Sequence, residues 1–565
     1  MKGKRLLASI LTISLGTSIF LAGCGNEKKG ENSKNDNKEE AKMDKDQYLN
    51  MILGAEPKTL DPSKATDTVS SQILGNAMEA ITRLEVDKDG KDTIVPAGAE
   101  SWEMSKDGMK WTFKMRDMNW SDGQKVTVDD YIYGITRTLN KETGSPYAYL
   151  LYPIKNAQAF NTGKAKAEDL GLKKVDESTL EFTLEAPCTY FLELTYFKVM
   201  EPQRKDLIEK HGDKYGTEAN TFLFTGPYMI TDWVHQSKVE LVKNPNYWDK
   251  DAVKLEKVTM KIIKEESSRM NELYNGSIDL AGVSKPEWIE KLDETNNFEV
   301  KKGYDGTAWY IAYNFTDPYL KNAKIRKAFT YAMDREGMSK TLFRNLAEPA
   351  TAWCPPGIQI GGEEYRKKVD FNFLDELKKE GTTDPKALLI EGLKEENMDP
   401  DPTKHTFKYL ESGTDARSKE FGDFMQQNFK SVLGVNVDVD YVEWPIFQER
   451  TNKLDYQMAH KGWLGDYNDP NTFFDMWIST AKMAPNGWSS EKYDDLIKKA
   501  GQTTDQKERV KIFEEAERLL LVDEAVIGPT VFRFKNTYVR NYIKNYMSPT
   551  WGEVELKHTY ISGRE

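Results

Sequence analysis

The sequence predicts a mixed α/β fold that contains more than one domain. Its 565 residues exceed the usual size of one domain, which is about 100–200 residues. Segments with strand alternation and segments with helical spacing follow one another throughout 48–565. Because no run rich in proline, glycine or serine divides this region, we expect its domains to share strands.

Strand segments are recognised by the alternation of polar and apolar residues. Thr179-Leu-Glu-Phe-Thr-Leu184 alternates in this way, as does Val435-Asn-Val-Asp-Val-Asp-Tyr441. The turn Ser105-Lys-Asp-Gly108 lies between two tryptophan-containing segments, an arrangement typical of a hairpin. The patterns predict a hairpin over 102–113 and strands at 48–53, 179–184, 257–263 and 435–441.

Helical segments are recognised by apolar residues that recur every three or four positions. Thr127 precedes Asp129 and Asp130, as a capping residue precedes acids in the first turn of a helix. The patterns predict helices at 69–84, 127–139, 323–333 and 507–521.

Charge and composition exclude several classes of protein. The net charge of −12 gives no overall positive field for nucleic acid, so we expect no nucleic-acid partner. A mean hydropathy of −0.68, with one long apolar stretch, excludes a protein with several membrane spans. Three cysteines are too few for a disulfide scaffold.

The first residues have the pattern of a secretory leader. A basic segment, Lys2-Gly-Lys-Arg5, precedes an apolar segment that ends at Leu21-Ala22-Gly23-Cys24. This tetrapeptide resembles a bacterial lipobox, which predicts removal of 1–23, acylation of Cys24 and a lipid anchor at the outer face of a Gram-positive cell membrane. An ordinary signal cleaved elsewhere is the alternative. Thirteen of the residues in 25–47 are charged, so we predict a disordered tether over 24–47.

The sequence lacks the usual signatures of catalysis and metal binding. No two of its five histidines are four positions apart, and phosphate-binding and nucleophile-elbow motifs are absent. Glu85-x-Asp87-x-Asp89-Gly90 has Pro96 where a calcium loop needs its last acid, which favours a hairpin turn. We therefore expect no enzyme, cofactor or metal. Cys188 and Cys354 are predicted to be buried thiols, and a disulfide between them is the alternative.

One segment has residues suited to binding a cationic ligand. Gly462 and Gly465 permit close approach of another backbone, Trp463 provides an apolar wall and Asp466 provides one negative charge. A peptide amino terminus is such a ligand. The alternative is an aromatic turn in which Asp466 caps the following residues.

The whole body of the chain, from about 56 to 561, resembles the extracellular solute-binding proteins of ABC importers, family 5, and among them the oligopeptide-binding lipoproteins. Each motif is weak by itself, but seven occur in the order found in the family. They are Pro57-Lys-Thr-Leu-Asp-Pro62, Ala99-Glu-Ser-Trp-Glu103, Trp120-Ser-Asp-Gly123 with Val126-Thr-Val-Asp-Asp130, Ser145-Pro-Tyr-Ala-Tyr149, Lys243-Asn-Pro-Asn-Tyr-Trp-Asp249, Lys324-Ile-Arg-Lys-Ala328 with Ala332-Met-Asp-Arg335, and Gly462-Trp-Leu-Gly-Asp-Tyr-Asn-Asp-Pro470.

The resemblance implies a bilobal, periplasmic-binding-protein-like fold with an extra inserted domain and hinged lobes that close around a ligand. It implies a discontinuous domain I at 48–78, 206–303 and 536–565. Domain II is expected at 79–205 and domain III at 304–535.

The resemblance also implies the residues of the site. Asp466 corresponds to the acid that pairs with the peptide ammonium, and the backbones of Gly462 and Leu464 to the positions that pair with the ligand as an added strand. The other implied contacts are an aromatic wall at Trp463, a tyrosine near the ligand amino terminus at Tyr147, a second backbone partner around Thr66 and Thr68, and pocket aromatics at Tyr304 and Trp444.

Two positions depart from the pattern of enteric relatives. His460 stands where those relatives often carry arginine. The pair of a histidine and a lysine that binds the ligand carboxylate in some relatives is not reproduced here, although Arg417 is a candidate replacement for the histidine.

The resemblance implies a monomeric receptor that delivers oligopeptides to an ABC permease with two membrane subunits and cytoplasmic ATPases. Other ligands of the same fold, namely a signalling peptide, nickel, haem or an oligosaccharide, and an extracytoplasmic hydrolase are the alternatives.

Overall fold

The computed structural model describes residues 42–87, 92–381, 383–549 and 554–564. The predicted leader, Cys24 and all but the end of the predicted tether lie outside the described residues. Strands and helices alternate along the chain, as the sequence predicts.

The described strands, in chain order, are β1 Tyr48–Leu53, β2 Thr82–Val86, β3 Asp92–Pro96, β4 Ala99–Met104, β5 Lys110–Met115, β6 Leu172–Asp176, β7 Thr179–Thr183, β8 Tyr228–Val234, β9 Lys238–Lys243, β10 Lys257–Ile262, β11 Leu280–Gly282, β12 Phe298–Tyr313, β13 Ala347–Pro349, β14 Gln359–Ile360, β15 Glu363–Glu364, β16 Thr406–Ser412, β17 Asn436–Val442, β18 Met458–Leu464, β19 Ile527–Arg540, β20 Ile543–Lys544 and β21 Tyr560–Ile561.

The described α-helices are α1 Thr68–Ala77, α2 Val128–Leu139, α3 Ala157–Asn161, α4 Phe191–Leu194, α5 Lys205–His211, α6 Glu266–Asn275, α7 Pro286–Asp293, α8 Ala323–Ala332, α9 Arg335–Thr341, α10 Phe373–Lys379, α11 Pro385–Glu395, α12 Ala416–Leu433, α13 Trp444–Asn452, α14 Asn471–Phe474, α15 Glu491–Gln502 and α16 Gln506–Arg518.

A large mixed sheet forms the framework of the described residues. Its strands lie in the order β17-β16-β18-β12-β19-β11-β1-β10-β9-β8, and β13 pairs with β19 at one side. A separate antiparallel sheet has the order β4-β5-β7-β6. Large clusters of buried apolar residues cover these sheets, and one of them spans both the small sheet and β18.

The long strands β12 and β19 connect the two halves of the large sheet. They run antiparallel from the pair Phe298–Arg540 to the pair Ala312–Ile527, with register shifts on either side of Ala308. Both strands cross the boundaries that we predict for domain III, near residues 304 and 535. Residues 43–565 form one compact unit, and the division into three domains stays a prediction.

Most predicted elements are confirmed. The predicted hairpin is β4 and β5, and the predicted strands are β1, β7, β10 and β17. Thr127 caps α2 by accepting a hydrogen bond from the backbone N–H of Asp130, whose carboxylate accepts one from Thr127 in return. The helix predicted at 323–333 is α8.

One helix prediction is wrong in its second half. The helix predicted at 69–84 ends at Ala77, and Thr82–Val86 is instead β2, paired antiparallel with β3. Apolar spacing does not distinguish a buried short strand from a helix. By contrast, the helix predicted at 507–521 is confirmed: it is α16, and its last turn continues as a π-helix over Leu519–Asp523. The predicted turn at 85–90 lies partly outside the described residues.

The two cysteines of the body, Cys188 and Cys354, are buried free thiols and form no disulfide within the described part of the chain. Burial raises the pKa of the Cys188 thiol to about 12. These thiols therefore behave as small apolar groups, as predicted. Within the described ranges, no helix is both long and apolar enough to cross a membrane.

Candidate functional site

One edge of β18 is left unpaired where the glycine-rich segment begins. β18 pairs with β12 over its whole length, but it pairs with β16 only as far as Ala459. The N–H of Gly465 donates to the carbonyl of Gly306 at 3.3 Å, in register with the β12–β18 ladder. Hydrogen-bonded pairs alternate in an antiparallel ladder, so Gly462 and Leu464 direct their N–H and C=O groups away from β12. No other strand of the described residues pairs with this edge.

The unpaired edge opens into a cavity of about 810 Å³. This volume lies in the range of small-ligand sites in proteins, which is about 300–1,000 Å³. The lining residues come from all three parts of the chain that we predict as domains. Nine of the eleven residues predicted to bind ligand line it: Thr66, Thr68, Tyr147, Trp444, His460, Gly462, Trp463, Leu464 and Asp466.

The carboxylate of Asp466 is held by its surroundings at one oxygen only. The Tyr147 hydroxyl donates to Oδ1 at 3.2 Å, whereas Oδ2 is buried and has no hydrogen-bond partner among the described residues. The backbone of Asp466 is fixed on both sides, because its N–H donates to Thr472 Oγ1 and its carbonyl accepts from the Tyr196 hydroxyl. The carboxylate is therefore fixed in place with one oxygen available to a ligand.

Burial governs the ionisation of this acid. It raises the pKa of Asp466 to about 7, and the charge of Lys198 and the hydrogen bond from Tyr147 oppose that rise. Lys198 donates to Ser71 Oγ at 2.6 Å, and its Nζ lies 4.9 Å from the centre of the Tyr147 ring. A cation bound at Asp466 would stabilise the ionised carboxylate and lower this pKa.

Trp463 and Gly462 shape the cavity beside the open edge. Trp463 is buried, and its Nε1 donates to the carbonyl of Thr472 at 3.0 Å, which fixes the indole as a wall. A Cβ atom on Gly462 would lie 3.1 Å from Cε2 of Trp309 and 3.3 Å from Cγ2 of Thr307. Glycine therefore avoids a close contact at this position.

Three further predicted residues lie at or just before the first residue of a helix. Thr66 and Thr68 flank Asp67, which caps α1 by accepting from the N–H of Ser70 at 2.9 Å. Trp444 is the first residue of α13, and its ring stacks on Phe447 with centroids 5.8 Å apart.

His460 is buried and packs against the rings of Trp309 and Phe421. Burial lowers the pKa of His460 to about 3, so it is neutral and cannot replace the charge of an arginine at this position.

The other two predicted residues do not line the cavity. The Tyr304 hydroxyl donates to Glu348 at 2.7 Å, and its ring packs on Phe534. Arg417 donates to the carbonyl of Leu342 at 3.0 Å.

Sequence reasoning missed the charged residues that other segments bring to the cavity, among them Lys198, Lys461 and Glu411. The Nζ atom of Lys198 lies 4.9 Å from the centre of the Tyr147 ring, and Lys461 belongs to β18. Glu411 is buried near the end of β16, and its Oε2 has no partner among the described residues. Burial raises the pKa of Glu411 to about 8. Side chains alternate between the two faces of a strand, so Lys461 lies on the same face of β18 as Trp463. This alternation was the signal from which Lys461 could have been predicted. In the described ranges, no group of three or more acids, histidines or cysteines is arranged to hold a metal ion.

A family model and two curated proteins that match this chain all describe solute-binding proteins. Residues 93–485 match the model described as bacterial extracellular solute-binding proteins, family 5 Middle. The dipeptide-binding protein DppE of Bacillus subtilis is 33% identical, covering 96% of this chain and 97% of that protein. The oligopeptide-binding protein OppA of the same organism is 32% identical, covering 98% and 99%.

A solved structure has a similar fold. The substrate-binding domain of an oligopeptide ABC transporter from Bacillus anthracis aligns with a TM-score of 0.85 and 31% sequence identity. The alignment covers 92% of this chain and 100% of that one.

Proposed function

Because the chain belongs to the bacterial extracellular solute-binding proteins of family 5, we propose that it binds oligopeptides outside the cytoplasm and delivers them to an ABC permease. The names of the two Bacillus subtilis relatives support a peptide as the solute. The family is one of solute-binding proteins, so no catalytic step is assigned to the chain.

The observation that carries the proposal is Oδ2 of Asp466, which has no partner among the described residues and lies at the end of the open edge of β18. An extended peptide has one ammonium and a regular series of backbone donors and acceptors. With its ammonium at Asp466, the peptide would run antiparallel to β18 and pair with Gly462 and Leu464. Thr66 and Thr68 would supply backbone partners on its other side.

This arrangement would let the protein bind peptides of many different sequences and still select peptides over other solutes. Backbone hydrogen bonds are the same for every residue type. Trp463 and Trp444 provide apolar walls, and water can fill the space that small side chains leave. Selection then depends on the ammonium, since removing one partner of a buried charge pair costs about 2–5 kcal/mol.

We further propose that Cys24 is acylated and that 24–47 tether the body to the outer face of the membrane, where it acts as a monomer. The proposed domains I, II and III would close over the peptide about β12 and β19. Residues from each of them line the cavity, which supports this closure.

Native mass spectrometry of the purified protein tests the proposed function. Small molecules released on denaturation would be identified, and the emptied protein would be offered a peptide library. We expect short peptides bound one to one. A protein that takes up no peptide, but retains a metal ion or a sugar, would overturn the proposed ligand class.

A further inference from the structure

The ammonium of Lys461 lines the cavity without a partner of its own. The backbone of Lys461 pairs with Tyr310 of β12, but its side chain makes no hydrogen bond or ion pair with the described residues. Burial alone lowers the pKa of Lys461 to about 8, and no charged group contributes to the shift. The protein therefore keeps a cation in an unfavourable environment beside the proposed peptide.

Other cations of the cavity wall differ from Lys461 because they have acceptors. Lys264 pairs with Glu443 at 3.0 Å, and Arg83 pairs with Glu79 at 3.0 Å. Further examples are the pair Arg533–Asp305, Lys535 with the Ser548 carbonyl at 3.2 Å, and Arg269 with the Ile263 carbonyl at 2.9 Å. Each of these cations already has an acceptor within the protein, whereas the Lys461 ammonium is available to a ligand.

The surroundings of Lys461 favour an anion over a neutral group. Strand alternation places its side chain on the face of β18 that carries Ala459 and Trp463, both of which belong to an apolar cluster with Phe447 and Met476. A carboxylate bound there would meet the half-buried ammonium beside an apolar wall, and reduced hydration strengthens charged hydrogen bonds.

We infer that Lys461 binds a carboxylate of the peptide and gives this receptor a preference for ligands with an acidic group a few residues from the amino terminus. The inference rests on the proposed function, because Asp466 fixes the position of the ammonium. Lys461 precedes Leu464 by three positions, or about 10 Å at 3.3 Å per residue. An acidic side chain near the third residue, or the terminal carboxylate of a di- or tripeptide, would reach Lys461.

Calorimetric titration of matched peptides tests the inference and separates the two sources of the carboxylate. One series is amidated at the C-terminus and carries glutamate or glutamine at position 2, 3 or 4 of an alanine tetrapeptide. The other compares dialanine and trialanine with their C-terminal amides. We expect the acid to bind roughly tenfold or more tightly than its amide in one of the series.

Lys461→Met and Lys461→Gln should remove this preference and leave the affinity for the neutral peptides within about threefold. Lys408→Met is the matched control, because Lys408 is exposed on β16 and does not line the cavity. If the variants lose the preference in the glutamate series, the carboxylate bound by Lys461 belongs to an acidic side chain. If they lose it in the terminal series, that carboxylate is the C-terminus of the peptide.

Proton uptake gives a second readout. At pH 8, near the pKa of Lys461, the lysine is about half protonated before it binds a ligand. Binding of a peptide with the carboxylate should therefore take up about half a proton more than binding of its amide. The uptake is measured from the binding enthalpies in buffers that differ in ionisation enthalpy. Lys461→Met should abolish this difference. Peptides that bind with no preference between acid and amide, or a preference that survives both variants, would overturn the inference alone. A wild-type protein that binds no peptide would overturn it together with the proposed function.

Discussion

The hydroxyl of Tyr147 lies 3.2 Å from Oδ1 of Asp466, although 319 positions separate the two residues in the chain. Tyr147 belongs to predicted domain II and Asp466 to predicted domain III. The contact leaves Oδ2 without a partner among the described residues. In our account, the hydrogen bond orients the carboxylate so that its second oxygen receives the peptide ammonium.

Peptide affinity should depend on the ionisation of Asp466. The pKa of this acid in the unliganded protein is about 7, so its charge is lost as the pH falls through 7. A free peptide ammonium remains protonated below about 7.7. We expect affinity to fall by about tenfold per pH unit between 7 and 5. Calorimetry over this range checks the slope, which Asp466→Asn should flatten. A wild-type affinity that is constant from pH 7 to 5 would contradict this prediction.

The unliganded protein should become more stable when Asp466 loses its charge. Its folded-state pKa is raised above the unfolded value, so the folded state binds the proton more tightly and stability decreases as the pH rises from about 4 to 7. At pH 8, Asp466→Asn should increase the free energy of unfolding by about 1–3 kcal/mol. Thermal unfolding measures this, and the gain should disappear near pH 4. A variant less stable than wild type at pH 8 would refute the prediction.

Tyr147→Phe should weaken peptide binding while preserving the packing of the ring. It removes the hydrogen bond that holds Asp466, and such bonds to charged groups contribute about 1.5–3 kcal/mol. We expect roughly a tenfold loss of affinity and an upward shift in the pH midpoint of binding. The matched control is Tyr149→Phe, since the Tyr149 hydroxyl has no partner in the described residues and does not line the cavity. Equal effects of the two substitutions would count against a role for the Tyr147 hydroxyl.

The ion pair between Lys264 and Glu443 should slow release of the peptide. Its members belong to predicted domains I and III, with 3.0 Å between Nζ and Oε2. Because both side chains are partly exposed, the pair contributes about 0–1 kcal/mol, so Lys264→Gln should raise the dissociation rate by up to about fivefold. Stopped-flow fluorescence measures this rate.

Lys261→Gln is the control for this measurement, because Lys261 pairs with Glu272 at 2.9 Å within predicted domain I. A faster release in the control than in Lys264→Gln would exclude the proposed closure contact.

Much of the site could be predicted because its residues are close together in sequence. Gly462, Trp463 and Asp466 belong to one short segment, so their residue types indicate a cationic ligand even when the fold is unknown. The carboxylate's partner Tyr147 was predicted only from the resemblance, since no local pattern relates positions so far apart.

Residues whose role depends on side-chain direction or on tertiary packing were not predicted. Lys461 was missed because the sequence does not fix which face of β18 its side chain lies on, whereas the strand in the structure does. Arg417 was expected near the ligand, but its guanidinium donates to the carbonyl of Leu342, a contact that follows from the packing of α12. The end of α1 at Ala77 likewise depends on the pairing of β2 with β3.

The most direct test of the account is a comparison of one peptide with a free amino terminus and its N-acetylated form on wild type and on Asp466→Asn. Asp495→Asn, which changes an exposed acid of α15, is the matched control. In calorimetric titrations at pH 7.5, we expect acetylation or Asp466→Asn to weaken binding by roughly 30- to 5,000-fold, with little further loss when both are combined. Wild-type affinity of Asp466→Asn for the free-amine peptide, together with equal binding of the acetylated peptide, would contradict the account.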